Sequence, residues 1–125
     1  QSITEPDSPR ETYMVAWRVF ALTLFEYRRG DFNQALKWGR KGLSYADQTP
    51  TRLAMTHTLL GMALSRTGQS AAAELELAEA RKLMADKFLN GLERISDYGG
   101  DTVGLWYDWV TAYLLLREAV AVSEL

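Results

Sequence analysis

Few side chains in this chain could do chemistry. His57 is the only histidine, and there is no cysteine. A metal site of nitrogen and sulfur ligands needs a second such residue at helical spacing, and none is offered. A nucleophilic triad needs a serine placed by a histidine and an acid, and no spacing here places one. Asp97, Asp101 and Asp108 surround Gly99-Gly100. They lack the alternating oxygen-ligand spacing of a calcium loop, so helix capping and solvation account for them. The glycines also lack the pattern of a phosphate cradle. His57 therefore reads as a packing residue, and no catalytic group, metal or cofactor is expected.

Charge narrows the classes further. Arg28, Arg29, Lys37, Arg40 and Lys41 cluster around Asp31. A solvated helix face is the default reading of such a run, and contact with an acidic peptide is the alternative. The whole chain carries a formal net charge of −2, which gives no field for nucleic acid or an anionic membrane. The longest apolar cluster, "WVTAYLLL", is interrupted by Thr111 and is too short to span a bilayer. The 125 residues suit one domain. The chain starts at Gln1 without a signal-like segment, which reads as a piece of a longer protein.

The elements that must position these residues are helices. Residues 1–10 are polar, hold two prolines and read as a tail or linker. A first helix is predicted over about 11–28. Tyr13, Trp17, Phe20, Leu24 and Tyr27 form one stripe on it, and Val15, Val19 and Leu22 form a second, nearly opposite. Gly30 ends this helix, and Asp31 caps the next. The second helix, over about 32–45, turns Phe32, Ala35, Leu36, Gly39 and Leu43 inward. Gly39 costs helix propensity and implies close approach to another helix. Thr49 and Pro50 open a third helix over about 51–66, with Leu53, His57, Leu60, Gly61 and Leu64 on one face. After Gly68, Ser70 caps a fourth helix that carries Ala73, Leu77, Ala80 and Met84 inward. A Gly-Gly loop precedes a fifth helix over about 103–123, with Trp106, Trp109, Val110, Tyr113, Leu116 and Val120 as its wide apolar face.

Two of these segments match. "RRGDFNQAL" at Arg28 and "RTGQSAAAE" at Arg66 both read Arg-x-Gly-x-x-x-x-Ala, offset by 38 positions. At the same offset Leu22 matches Leu60, and Gly42 matches Ala80. The pattern resembles the tetratricopeptide repeat, a helix pair of roughly 34 residues. Leu60-Gly61, Leu64, Gly68, Ala73, Leu77 and Ala80 fall on the family's positions in the second unit. Leu22, Gly30, Phe32, Ala35 and Leu43 do so in the first. Thr23 departs at the small position, Glu26 stands where an aromatic is favoured, and Gly39 stands where a large residue is favoured. The ending "WYDWVTAYLLLREAVAV" is similar to the last helix of tetratricopeptide tails on large bacterial serine/threonine protein kinases.

The resemblance implies an all-α superhelix: units over about 13–47 and 51–88 and a capping helix over about 103–123, one domain from 11 to 125. It implies a non-catalytic module of a larger bacterial signalling protein, in the cytoplasm, binding a protein or peptide in an apolar concave groove. Carried over by position, the groove presents Trp17, Phe20, Leu24 and Tyr27, then Met55, Thr58, Met62 and Ser65, then Tyr107 and Thr111. Two alternatives stand beside it. The module is a self-associating spacer, or, less in keeping with the residues, a small-ligand or enzymatic domain. In so short a bundle the groove residues are equally readable as core.

Overall fold

Two three-residue turns make the chain double back on itself. The computed structural model describes residues 8–46, 48–90 and 102–123, with side chains for 8–46, 48–86 and 108–122. They form α1 (Pro9–Arg28), α2 (Phe32–Leu43), α3 (Pro50–Arg66), α4 (Ser70–Asn90) and α5 (Thr102–Ser123). The fold is all-α, with no strand among the described residues.

Arg29–Asp31 joins α1 to α2, and residues 67–69 join α3 to α4. The glycine at the centre of each turn is left-handed, at φ +88° for Gly30 and +79° for Gly68. At the first turn the Gly30 N–H donates to the Tyr27 carbonyl at 3.0 Å, and the Asp31 N–H to the Glu26 carbonyl at 2.9 Å. At the second, the Gly68 N–H donates to Ser65 at 3.2 Å and the Gln69 N–H to Leu64 at 2.9 Å. Both pairs are the crossed bonds of a Schellman helix stop. The two turns are thus the same object, 38 positions apart.

Three boundaries differ from expectation. Helix α1 starts at Pro9, inside the predicted tail, because Ser8 caps it by accepting from the Glu11 N–H at 3.2 Å. Proline is favoured at a first helical position, so Pro9 starts this helix and does not break it. Ser70 is already helical, and Gln69 holds the place given to the cap. Helix α2 stops at Leu43, two residues short. The Gly-Gly loop with Asp97 and Asp101 lies outside the described residues, as do residues 1–7.

Helix α3 is the centre of the fold, since α1, α2, α4 and α5 all lie on it. It is therefore buried nearly all round, not along the single predicted stripe. Two of its buried threonines bond back within the helix: Thr56 Oγ1 donates to the Arg52 carbonyl at 2.7 Å, and Thr58 Oγ1 to Ala54 at 2.7 Å. That satisfies hydroxyls that would be costly if left bare. Leu77, Ala73, Ala80 and Met84 of α4 are buried, as their spacing predicts.

Glycines let the helices close. A Cβ on Gly61 would lie 2.6 Å from Leu77 Cδ2, so α3 and α4 meet there without room for a methyl. A Cβ on Gly39 would lie 2.6 Å from Leu60 Cδ2. The close approach inferred for Gly39 is thus to α3. On the far side of α1, Val15, Ala16 and Val19 pack with Trp38 and Tyr45 as a second core. Val15, Val19 and Trp38 are buried there by one another and by Tyr45.

Candidate functional site

The predicted groove residues divide by burial. Trp17, Phe20 and Leu24 are half-buried along α1 and pack on the main core. Tyr13, 48% exposed, meets Trp17 edge-on at 6.3 Å between centroids, and Trp17 meets Phe20 edge-on at 5.7 Å. The three rings form one ladder up α1. Tyr27, at the other end of the helix, is buried and tilts against Phe32 at 5.5 Å. Trp17 Nε1 and the Tyr27 hydroxyl are buried without a hydrogen-bond partner among the described residues.

The α3 members are not at a surface. Met55 and Met62 are 2% and 0% exposed, and Thr58 is as deeply buried. The face of α3 expected to line the groove is covered by the chain's own last helix: Trp109, Ala112, Leu115 and Ala119 of α5 join Met55 and Met62 in one core cluster. Ser65 is half-buried at the end of α3, and Thr111 is exposed on α5. The side chain of Tyr107 lies outside the described residues.

Helix α5 turns inward a face shifted from the predicted one: Trp109 is buried and Leu116 packs on the main core as expected, but Tyr113 does not. Its buried stripe is Trp109, Ala112, Leu115 and Ala119, whereas Tyr113 is exposed together with Leu114. The helix is apolar on nearly every side, so periodicity could not select a face. Two members of the stripe, Ala112 and Ala119, are small, and both are fully buried in the main core.

Polar links that the spacing did not suggest hold this arrangement. Arg28, the last residue of α1, pairs bidentately with Glu118 of α5; its second nitrogen donates to Glu118 Oε1 at 2.8 Å. That hydrogen bond, opposed by desolvation and helped by the charges of Arg28 and Arg66, holds the Glu118 carboxyl below its usual range. Glu26, standing where an aromatic was expected, is nearly buried and takes both Nε and Nη2 of Arg29, at 3.2 and 2.9 Å. His57 Nδ1 lies 2.6 Å from Glu76 Oε2 and ties α3 to α4. The missed signal was that Glu76 lies one residue from Leu77, itself packed on α3.

The basic cluster is largely engaged within the chain. Arg28 holds Glu118, Arg29 holds Glu26 and Asp31, and Lys37 and Lys41 stand over the Trp38 and Tyr45 rings at 5.7 Å. Among the described residues no three His, Cys, Asp or Glu side chains are grouped to hold a metal ion. None of the helices among them is long and apolar enough to cross a membrane. Comparison with protein-family models, with curated proteins and with solved structures finds no match.

Proposed function

We propose that this chain is a non-catalytic protein–protein interaction module of tetratricopeptide type. In this reading α1–α2 and α3–α4 are two units of a right-handed superhelix, and α5 follows as a third inner helix. The identical Schellman turns and the Gly61–Leu77 contact support the repeat. The ligand is a peptide or helix from a partner or from the parent chain. The bacterial signalling context and the cytoplasmic setting rest on the resemblance of the last helix.

One observation carries the recognition reading: the Tyr13–Trp17–Phe20 ladder on α1. Its rings are braced by one another and by the core, yet the outer ring is half exposed. Rigid aromatics supply contact area at low entropic cost, and they are enriched at binding surfaces. A helical-peptide display screen on the chain tests it. Selected binders should lose at least about tenfold in affinity on Tyr13→Ala or Trp17→Ala chains that keep their melting temperature. A chain that selects no peptide, or binders indifferent to both substitutions, overturns it.

Self-association is the second reading, favoured by exposed Tyr113 and Leu114 on α5. Light scattering decides it: a strict monomer at high concentration removes it.

A further inference from the structure

Helix α5 has the attributes of a bound ligand as well as those of a core element. It lies chiefly on α3, with a lesser contact to α4. Its contact stripe is a legible pattern of large, small, large, acid, small: Trp109, Ala112, Leu115, Glu118, Ala119. The acid meets Arg28. Arg28 and Arg66 are the same position of the two units, each the last residue before its Schellman turn. Of the two, Arg28 pairs with the Glu118 carboxylate of α5. The outer side of α5 keeps Tyr113 and Leu114 in solvent. These two large apolar side chains stand beside exposed Thr111 and Arg117, so the outer side of α5 is mixed, whereas capping elements of stacked repeats are polar there.

We infer that α5 is the chain's own occupant of its recognition face, and that a partner helix with apolar and small residues at this spacing and a carboxylate for Arg28 takes its place. This rests on the reading of the chain as a recognition module. Such exchange is a population shift between seated α5 and seated partner, driven by the partner's differential affinity for the vacated face. The charge of Arg66 also acts on Glu118, so the incoming carboxylate enters a field from both units.

Two measurements test it. In native-state hydrogen exchange of the wild-type chain, α5 amides should open at least about tenfold more often than those of α3 and α4. Equal protection overturns the inference. The second uses a labelled synthetic peptide of residues 102–123 as probe. A full chain carrying Ala112→Glu, which unseats its own α5, should bind that peptide at least about tenfold more tightly than wild type does. A peptide with Glu118→Lys should bind several-fold more weakly, with recovery on a chain that also carries Arg28→Glu. Failure of the Ala112→Glu chain to fold, absence of peptide binding, or binding indifferent to the charge exchange each overturns it. Any of these makes α5 permanent core. The α1 ladder is tested separately by Tyr13→Ala and Trp17→Ala, so the two failures are distinguishable.

Discussion

Leu60 of α3 fills the space that a side chain on Gly39 of α2 would need, with 2.6 Å from its Cδ2 to the Cβ position. Thr23 of α1 closes the same site at 3.4 Å through its Cγ2. The positions 38 residues on from Thr23 and Gly39 are Gly61 of α3 and Leu77 of α4. There the small residue is on the first helix and the large one on the second. The α1–α2 pair inverts this, threonine on the first helix and glycine on the second, with Leu60 of α3 taking up the remaining volume. The two differences between the helix pairs are therefore one exchange of size between facing helices.

The contact predicts unequal glycine substitutions. A methyl on Gly61 meets Leu77 Cγ at 2.7 Å as well as Cδ2, so the whole side chain must move. Gly61→Ala should destabilise the fold by about 1–3 kcal/mol in urea unfolding. Gly39→Ala meets mainly the tip of Leu60 and recovers about 1 kcal/mol of helix propensity, so its net effect should be smaller. Leu77→Ala should cost about 2–5 kcal/mol alone. Combined with Gly61→Ala it should fall short of additivity by at least about 0.5 kcal/mol. Strict additivity would show that the pair does not share the space.

The turns predict equal penalties. A Cβ on Gly30 or Gly68 would meet no atom within 4 Å, so the cost of adding one is in the backbone alone. Alanine at either should cost about 1–2 kcal/mol for left-handed geometry, and asparagine less. The two values should agree within about 0.5 kcal/mol if the turns are equivalent, read from thermal or urea unfolding.

Two carboxylates of α5 predict opposite pH slopes. Glu118 is held low, first by the Arg28 hydrogen bond. Its contribution is full above the unfolded value of about 4.5 and is lost as pH falls through the lower folded value. The pair is partly exposed, so its worth is about 0.2–1 kcal/mol. Glu118→Gln should therefore lower the melting temperature at pH 7 and merge with wild type in acid. Asp108 is raised by desolvation, which favours its neutral form, so the fold gains as pH falls through that raised value. Asp108→Asn should raise the melting temperature at neutral pH and lose the advantage in acid. Melting curves of both variants across pH check the two signs.

Much of the architecture was legible in the residues. Gly30 and Gly68 announced both turns, because only a left-handed residue closes a Schellman stop. The α4 stripe was legible because its outer side is charged, so period and burial agree. Helix α5 was not, because apolar residues surround it and no face stands out. The burial of Met55 and Met62 under α5 was not legible either, for a related reason. A surface methionine and a core methionine look alike until the helix that covers them is placed. The ion pair of Arg28 with Glu118 spans 90 positions and leaves no local trace.

Arg52 is the case least visible in the sequence, because a cation at the start of a helix reads as solvated. It is fully buried, and its Nη1 donates to the Gly42 carbonyl at 3.1 Å. Gly42 lies in the last turn of α2, where carbonyls lack helical partners and the dipole favours positive charge. A guanidinium from the next helix thus satisfies the end of the previous one and fixes the junction between α2 and α3. Arg52→Met keeps the apolar stem but bares the carbonyl, and should cost about 1.5–3 kcal/mol. Arg52→Lys keeps the charge without the planar fork and should recover only part of this. Urea unfolding of the two variants separates the roles. If lysine restores full stability, charge alone is what the α2 terminus needs. If methionine equals wild type, the junction is held by packing and the guanidinium is incidental to it.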